Sequence, residues 1–119
     1  MDGVAVANQC RSLRGATEGN PFGQGVLVFK VAGRIFAILG ETDVSLKCDP
    51  LLALALREEF VAVTPGYHLN KRHWNTVKLD GSVPDDALRE WILDSYELAV
   101  DSLTRAQRAA LEASDSATR

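Results

Sequence analysis

Val6, Cys10 and Leu13 recur at i, i+4 and i+7 while Gln9, Arg11 and Ser12 fall on another face, a spacing that predicts an amphipathic helix ended by Gly15. Beyond a loop at Gly19-Asn20-Pro21-Phe22-Gly23, Val26 to Val31 and Arg34 to Leu39 are β-rich runs, and the glycine of Ala32-Gly33 suits a tight hairpin between them. After a turn at Gly40 to Asp43, the stretch Val44 to Cys48 alternates apolar and polar, which predicts a third strand with Ser45 and Lys47 facing away from the core. Asp49-Pro50 then starts a helix, with Asp49 as its cap, Leu52, Leu56 and Phe60 as its apolar stripe, and Arg57, Glu58 and Glu59 as its wet side.

Thr64-Pro65-Gly66 breaks the chain, a turn follows at Asn70-Lys71-Arg72, and Trp74 to Leu79 reads as a strand with Trp74, Thr76 and Lys78 on one face. Pro84-Asp85-Asp86 opens a long helix, and Thr104-Arg105-Ala106-Gln107 matches the capping box of a short final one. The expected fold is α+β in two layers, an antiparallel five-stranded sheet with helices packed on one side in the order α-β(3)-α-β(2)-α. Residues 1–104 form one domain in this reading, and 105–119 a short helix and a frayed tail. Val28, Phe29, Ile35, Phe36, Leu46, Leu52, Leu56, Trp91 and Ile92 are the expected core.

Composition supports a single ordinary globular domain: 119 residues, 46% hydrophobic and 24% charged, enough chain to bury a core without metal or disulfide. Cys10 and Cys48 sit in apolar surroundings and read as reduced core thiols. Absence of a long apolar run, and an acid at Asp2 where a signal peptide would be basic, point to a cytoplasmic protein with no membrane association. A net charge of -3 argues against indiscriminate binding to nucleic acid, so any basic surface has to be local.

One such island exists. Val61 to Leu79 holds Lys71, Arg72 and Lys78, both histidines and no acid, whereas Asp80 to Asp101 is strongly acidic with Arg89 as its lone cation. The island reads either as an anion-contacting surface or as a solvated face. Trp74 beside it has the composition of a base-stacking contact, with core packing at the strand start as the favoured reading, since aromatics are more often core. His68 and His73 lack a metal-ligand pattern and adjoin two cations, so no metal and no cofactor are expected. Gly23-Gln24-Gly25 precedes a strand instead of opening a helix and cannot cradle a pyrophosphate in the dinucleotide manner. A histidine with Ser45 or Cys48 lacks a third, orienting residue, so no enzyme is expected.

Cys10-Arg11-Ser12-Leu13 with Gly15-Ala16, then Pro21-Phe22-Gly23, Val28-Phe29-Lys30-Val31 and Val44-Ser45-Leu46-Lys47-Cys48 with Asp49-Pro50, resemble the MmcQ/YjbR family. The most specific stretch is Pro65-Gly66-Tyr67-His68-Leu69-Asn70-Lys71-Arg72-His73-Trp74-Asn75-Thr76-Val77. The likeness runs from about Cys10 to Leu103. It implies a bacterial cytoplasmic domain with a fold like that of secretion chaperones and CyaY-like proteins, and a "double wing" DNA-binding role. The turn at Gly40 to Asp43 is shorter than the connection many relatives have there, which would trim a wing.

The candidate DNA- or ligand-binding residues are Lys47, Tyr67, His68, Asn70, Lys71, Arg72, His73 and Trp74, with Lys30 and Arg34 as further phosphate contacts. The partner is DNA in the first reading. In the second it is an acidic protein or a small anionic ligand at the rim of a pocket formed by the same loop, and the chain is a monomer or weak dimer in either.

Overall fold

Hydrophobic alternation builds the middle of the sheet. In the computed structural model, which describes residues 1–23 and 25–117, the elements run α1 (Gly3–Ser12), β1 (Ala16–Gly19), β2 (Leu27–Val31), β3 (Arg34–Leu39), β4 (Asp43–Lys47) and α2 (Pro50–Glu59). Then follow β5 (Val63–Pro65), β6 (Trp74–Lys78), α3 (Asp85–Asp101) and α4 (Arg105–Ala117). Gln24, within the Gly23-Gln24-Gly25 loop, and the last two residues of the tail expected to fray lie outside the described residues. The strands form one sheet in the order β1-β2-β3-β4-β6-β5, antiparallel at every pairing.

The α+β class holds, but the sheet has six strands where five were expected. The additional strand is β1, which covers Ala16 to Glu18, where the hydrophobic pattern assigned no element, and the first residue of the expected loop, Gly19. The residues Thr64 and Pro65, read as a chain break, belong to β5. Both strands lie at the edges of the sheet, where one flank needs no partner; Pro65 is tolerated there because its missing N–H costs no ladder bond.

Helices α1 and α3 pack on β1 to β4, and α2 covers β5 and β6. The core between the layers joins Phe29, Val31, Phe36, Val44, Leu46 and Val77 of the sheet to Val6, Cys10, Leu56, Leu88 and Ile92 of the helices. Aromatic edges lock it, with Phe36 against Tyr96 at 5.4 Å and Phe60 against Trp91 at 5.1 Å, both T-shaped. Ala32 and Gly33 both take positive φ, 48° and 82°, the pairing that a two-residue turn of matching twist requires. Asp49 caps α2 as expected, accepting from Leu51 and Leu52 N–H. At α4 the capping box is reciprocal: Thr104 Oγ1 accepts from Gln107 N–H, and Gln107 Oε1 from Thr104 N–H.

Three expectations about burial are corrected. Leu52 is 41% exposed, because Ala53 and Leu56 face the sheet and turn Leu52 outward. Ile35 is only half-buried: a bulge opposite Phe29 and Lys30 places Phe36 and Ala37 both in the core, which rotates Ile35 to the other face. Arg57, assigned to the wet side of α2, is half-buried and bonded to Asn75 Oδ1 at 2.7 Å.

The bulge also leaves backbone groups to be satisfied. The β3–β4 ladder ends at Ala37 and Leu46, and the fully buried Ser95 of α3 inserts its hydroxyl beyond that point. It donates to the Phe36 carbonyl at 2.5 Å and accepts from Lys47 N–H at 2.8 Å, so a single side chain pins α3 to two strands.

Candidate functional site

With three helices on one face, the opposite face of the sheet is covered only by loops. Register assigns its residues: Ser45 stands opposite Thr76, Lys47 opposite Trp74, and Asp43 opposite Lys78 on β4 and β6. On β2 and β3, Val28 faces Ile38, and Lys30 faces Ile35. The strand charges of this face are therefore Lys30, Lys47 and Lys78 against Asp43 alone. Arg34 pairs with Val31, a core residue, and falls on the other face.

The loop after β5 is fastened by its own polar groups. Gly66 N–H donates to the Trp74 carbonyl, Tyr67 N–H to Thr76 Oγ1 at 3.0 Å, and His73 N–H to the Asn70 carbonyl. The Asn70 side chain accepts from Arg72 N–H at 3.0 Å, an Asx turn, and Lys71 Nζ donates to the Gly66 carbonyl at 3.2 Å. From α2, Arg57 donates to the carbonyls of Lys71 and Trp74. Gly66 is needed for its lack of a side chain, since a Cβ there would lie 2.6 Å from Trp74 Cβ.

This arrangement divides the candidate residues into two groups. Tyr67 and His68 project from the loop with ring centroids 4.0 Å apart, and His68 takes φ 58°, an uncommon conformation for a residue with a side chain. Together with Leu69 they wall a pocket of about 400 Å³, closed on the other side by Phe22 and Val26 and floored by Ile38, Ser45 and Thr76. Asn70, Lys71, Arg72 and His73 are exposed but ride on the turn beside α2 and do not line that pocket. Lys47 and the half-buried Trp74 pair with each other on the open face, outside the lining of that pocket.

Sequence reasoning named neither Phe22 nor Asp43 for the site. The signal for Asp43 was present, because the alternation that turned Ser45 and Lys47 outward applies equally two residues earlier. Phe22 carried no such signal, since an aromatic in a Gly and Pro-rich loop has no periodicity to place it.

The thiols stand apart from this surface. Burial pushes Cys10 up to about 12, and burial followed by the charges of Asp49 and Asp94 pushes Cys48 up to about 11, so both stay protonated and weakly nucleophilic at neutral pH. Ser45 is engaged with Thr76 Oγ1 at 2.8 Å. Among the described residues, no group of three or more His, Cys, Asp or Glu side chains is placed to hold a metal ion, and no helix is long and apolar enough to cross a membrane.

A family model described as YjbR matches residues 11–98, including both strands of the open face's center and the whole Tyr67–Trp74 loop. The chain belongs to the YjbR family. Protein YjbR of Escherichia coli strain K12 is 43% identical over 83 residues, 66% of this chain and 70% of that one. YbdF of Escherichia coli O157:H7 is 37% identical over 89 residues, 71% of this chain and 73% of its own. Both carry the description "uncharacterized protein".

The crystal structure of Deinococcus radiodurans protein DR2400, with a domain described as DUF419, superposes with a TM-score of 0.88 at 37% identity, covering 93% of this chain and 88% of that one. A Pseudomonas syringae protein at 23% identity and a TM-score of 0.73 shares the fold over 83% of this chain and 99% of its own.

Proposed function

We propose that this YjbR-family domain is a non-catalytic, cytoplasmic DNA-binding protein that meets phosphates with the open face of its sheet and the adjoining Lys71–Arg72 turn. The observation that carries this reading is the separation of charge by layer. Lys30, Lys47 and Lys78 occupy the open face with Asp43 as its one strand acid, while Asp85, Asp86, Glu90, Asp94, Glu97 and Asp101 all lie on α3, which packs on the other face. A chain that is acidic overall thereby presents a cationic side to a polyanion and turns its acids away. Exposed aromatic rings at Tyr67 and the half-buried Trp74 give bases something to stack on.

Titration of labelled duplex and single-stranded DNA at several salt concentrations tests the reading. Wild type is expected to bind with an affinity that falls steeply with salt, and Lys71→Ala/Arg72→Ala to bind more weakly on every sequence, with a log–log salt slope flatter by about two units. Lack of binding at tens of micromolar in low salt overturns the proposal and leaves a protein or small anionic partner at the same turn as the leading account.

A further inference from the structure

The pocket beneath Tyr67 and His68 is built for something more particular than a phosphate. Its walls are apolar or aromatic, from Phe22, Val26, Ile38, Tyr67, His68 and Leu69, and its volume of about 400 Å³ falls in the range of small-ligand sites. Two polar features break that lining. One is Asp43, whose carboxylate approaches so close to Gly40 that a Cβ on Gly40 would lie 2.8 Å from Oδ1; both residues line the pocket. No hydrogen bond or ion pair engages this carboxylate among the described residues, although Lys78 stands opposite it in the ladder.

The second feature is the Ser45–Thr76 hydroxyl pair on the floor. Their mutual bond uses one of two hydroxyl hydrogens, and Tyr67 N–H supplies Thr76 Oγ1 with a further donor, so the second hydroxyl hydrogen has its place in the pocket. The pocket thus offers a cleft rimmed by aromatic rings, an acceptor pair from Asp43, and one donor two residues along the same strand, about 7 Å away along the backbone.

We propose that this pocket holds a single unstacked guanine base. Guanine presents two adjacent N–H donors, N1–H and the N2 amino group, with the O6 acceptor beside them. The donors match the two oxygens of an ionised carboxylate, and O6 matches the spare hydroxyl hydrogen. Adenine and cytosine would each turn a lone pair at the carboxylate beside their single amino group, and thymine would turn two carbonyls toward it. Stacking between Phe22 and the Tyr67–His68 pair supplies the sequence-tolerant part of the binding, and Lys78 and Lys47 stand along the floor strands for the flanking phosphates. The inference deepens the DNA reading and rests on it for the source of the base.

The test uses oligothymidine strands carrying one central guanine, hypoxanthine or adenine, with free deoxyguanosine monophosphate as a separate probe, titrated against the full chain. The guanine strand is expected to bind about tenfold more tightly than the adenine strand, and hypoxanthine, which lacks the N2 amino group, to lose most of that preference. Asp43→Asn, which replaces one acceptor by a donor and removes the one strand acid of the open face, is expected to abolish the preference while oligothymidine affinity holds or rises. Should that variant fold poorly, Tyr67→Ala serves, since its ring is 71% exposed; it is expected to weaken the guanine strand at least fivefold. Equal affinity for all strands overturns the pocket assignment and leaves the DNA reading intact. Binding of the free nucleotide, lost in Asp43→Asn, without binding of any strand supports the pocket and overturns the DNA reading. Failure of both strands and nucleotide overturns both.

Discussion

Replacing Ser95 by alanine sets two physical effects against each other with opposite signs. Judged by helix propensity alone, alanine in the interior of α3 should stabilise the protein by about 0.5 kcal/mol. Yet the Ser95 hydroxyl is fully buried and serves two backbone groups, the Phe36 carbonyl and Lys47 N–H, that the β3 bulge has deprived of ladder partners. Each group left unsatisfied costs about 1–3 kcal/mol, and the space vacated by one oxygen is too small to admit a bridging water. The net expectation is a loss of about 2–4 kcal/mol, a large share of the stability of an ordinary domain. For a chain of this length that corresponds to a fall in Tm of about 10 °C. Guanidinium unfolding followed by tryptophan fluorescence should show a lower midpoint at unchanged slope. An unchanged or raised midpoint would refute the bridging role and show that propensity governs this position.

The remaining predictions concern the loop and one acid. Arg57→Ala should cost about 2 kcal/mol and speed hydrogen exchange at the amides of residues 67–73, because Arg57 holds both Asn75 Oδ1 and the Lys71 carbonyl; Arg57→Lys should not rescue it, lacking the planar fork. Gly66→Ala should cost about 1–3 kcal/mol, measured by thermal unfolding, since its Cβ would press on Trp74 Cβ and lie 3.0 Å from the Trp74 carbonyl oxygen, which is backbone and cannot swing aside. The Asp94 carboxyl is held above the usual range, by burial first and then by Glu90 and Glu97. A raised folded pKa means that stability is lost as pH climbs from the ordinary carboxylate range through the folded value. Asp94→Asn should accordingly be more stable than wild type at neutral pH, with the gap closing below about pH 3; a gap that persists in acid would refute the assignment.

Elements with two buried neighbours were legible in the sequence, and elements at the margin were not. The strands β2, β3, β4 and β6 are flanked on both sides, so their apolar positions repeat; β1, at an edge, buries only part of Ala16 and leaves Thr17, Glu18 and Gly19 exposed, so it offers no alternation to read. The edge strand β5 is too short to show a period. Within elements, the errors at Leu52 and Ile35 share a cause. A single helix turn or a single bulge decides which of two neighbouring apolar residues points inward, and periodicity assigns the face only to within about one residue. Arg57 was misplaced for a different reason: its partners, Asn75 and the Lys71 carbonyl, come from β6 and the turn before it, distant in sequence, and leave no mark on the spacing of α2.

The stretch from Pro65 to Val77 carries the most specific family resemblance, and most of it is accounted for by architecture. Pro65 closes an edge strand, and Gly66 makes room for Trp74. Asn70 shapes the turn, and Lys71 ties the turn back to Gly66. Asn75 joins β6 to α2 through Arg57 and the Ala53 carbonyl, Thr76 shares a hydrogen bond with Ser45 and accepts from Tyr67 N–H, and Val77 fills the core. A motif of this kind specifies a loop conformation before it specifies a ligand, so its presence alone argues little about binding. What the loop conformation accomplishes is to hold out the residues whose side chains do none of this work: Tyr67 and His68 over the pocket, Arg72 and His73 on the turn, all four exposed. A loop backbone that so many internal bonds hold has lost its conformational freedom in advance, which lowers the entropic cost of binding through the side chains it carries. That is the physical ground for seeking function in those four residues ahead of Asn70, whose polar groups the fold already uses; Lys71 spends one ammonium hydrogen on Gly66 and keeps two for a phosphate.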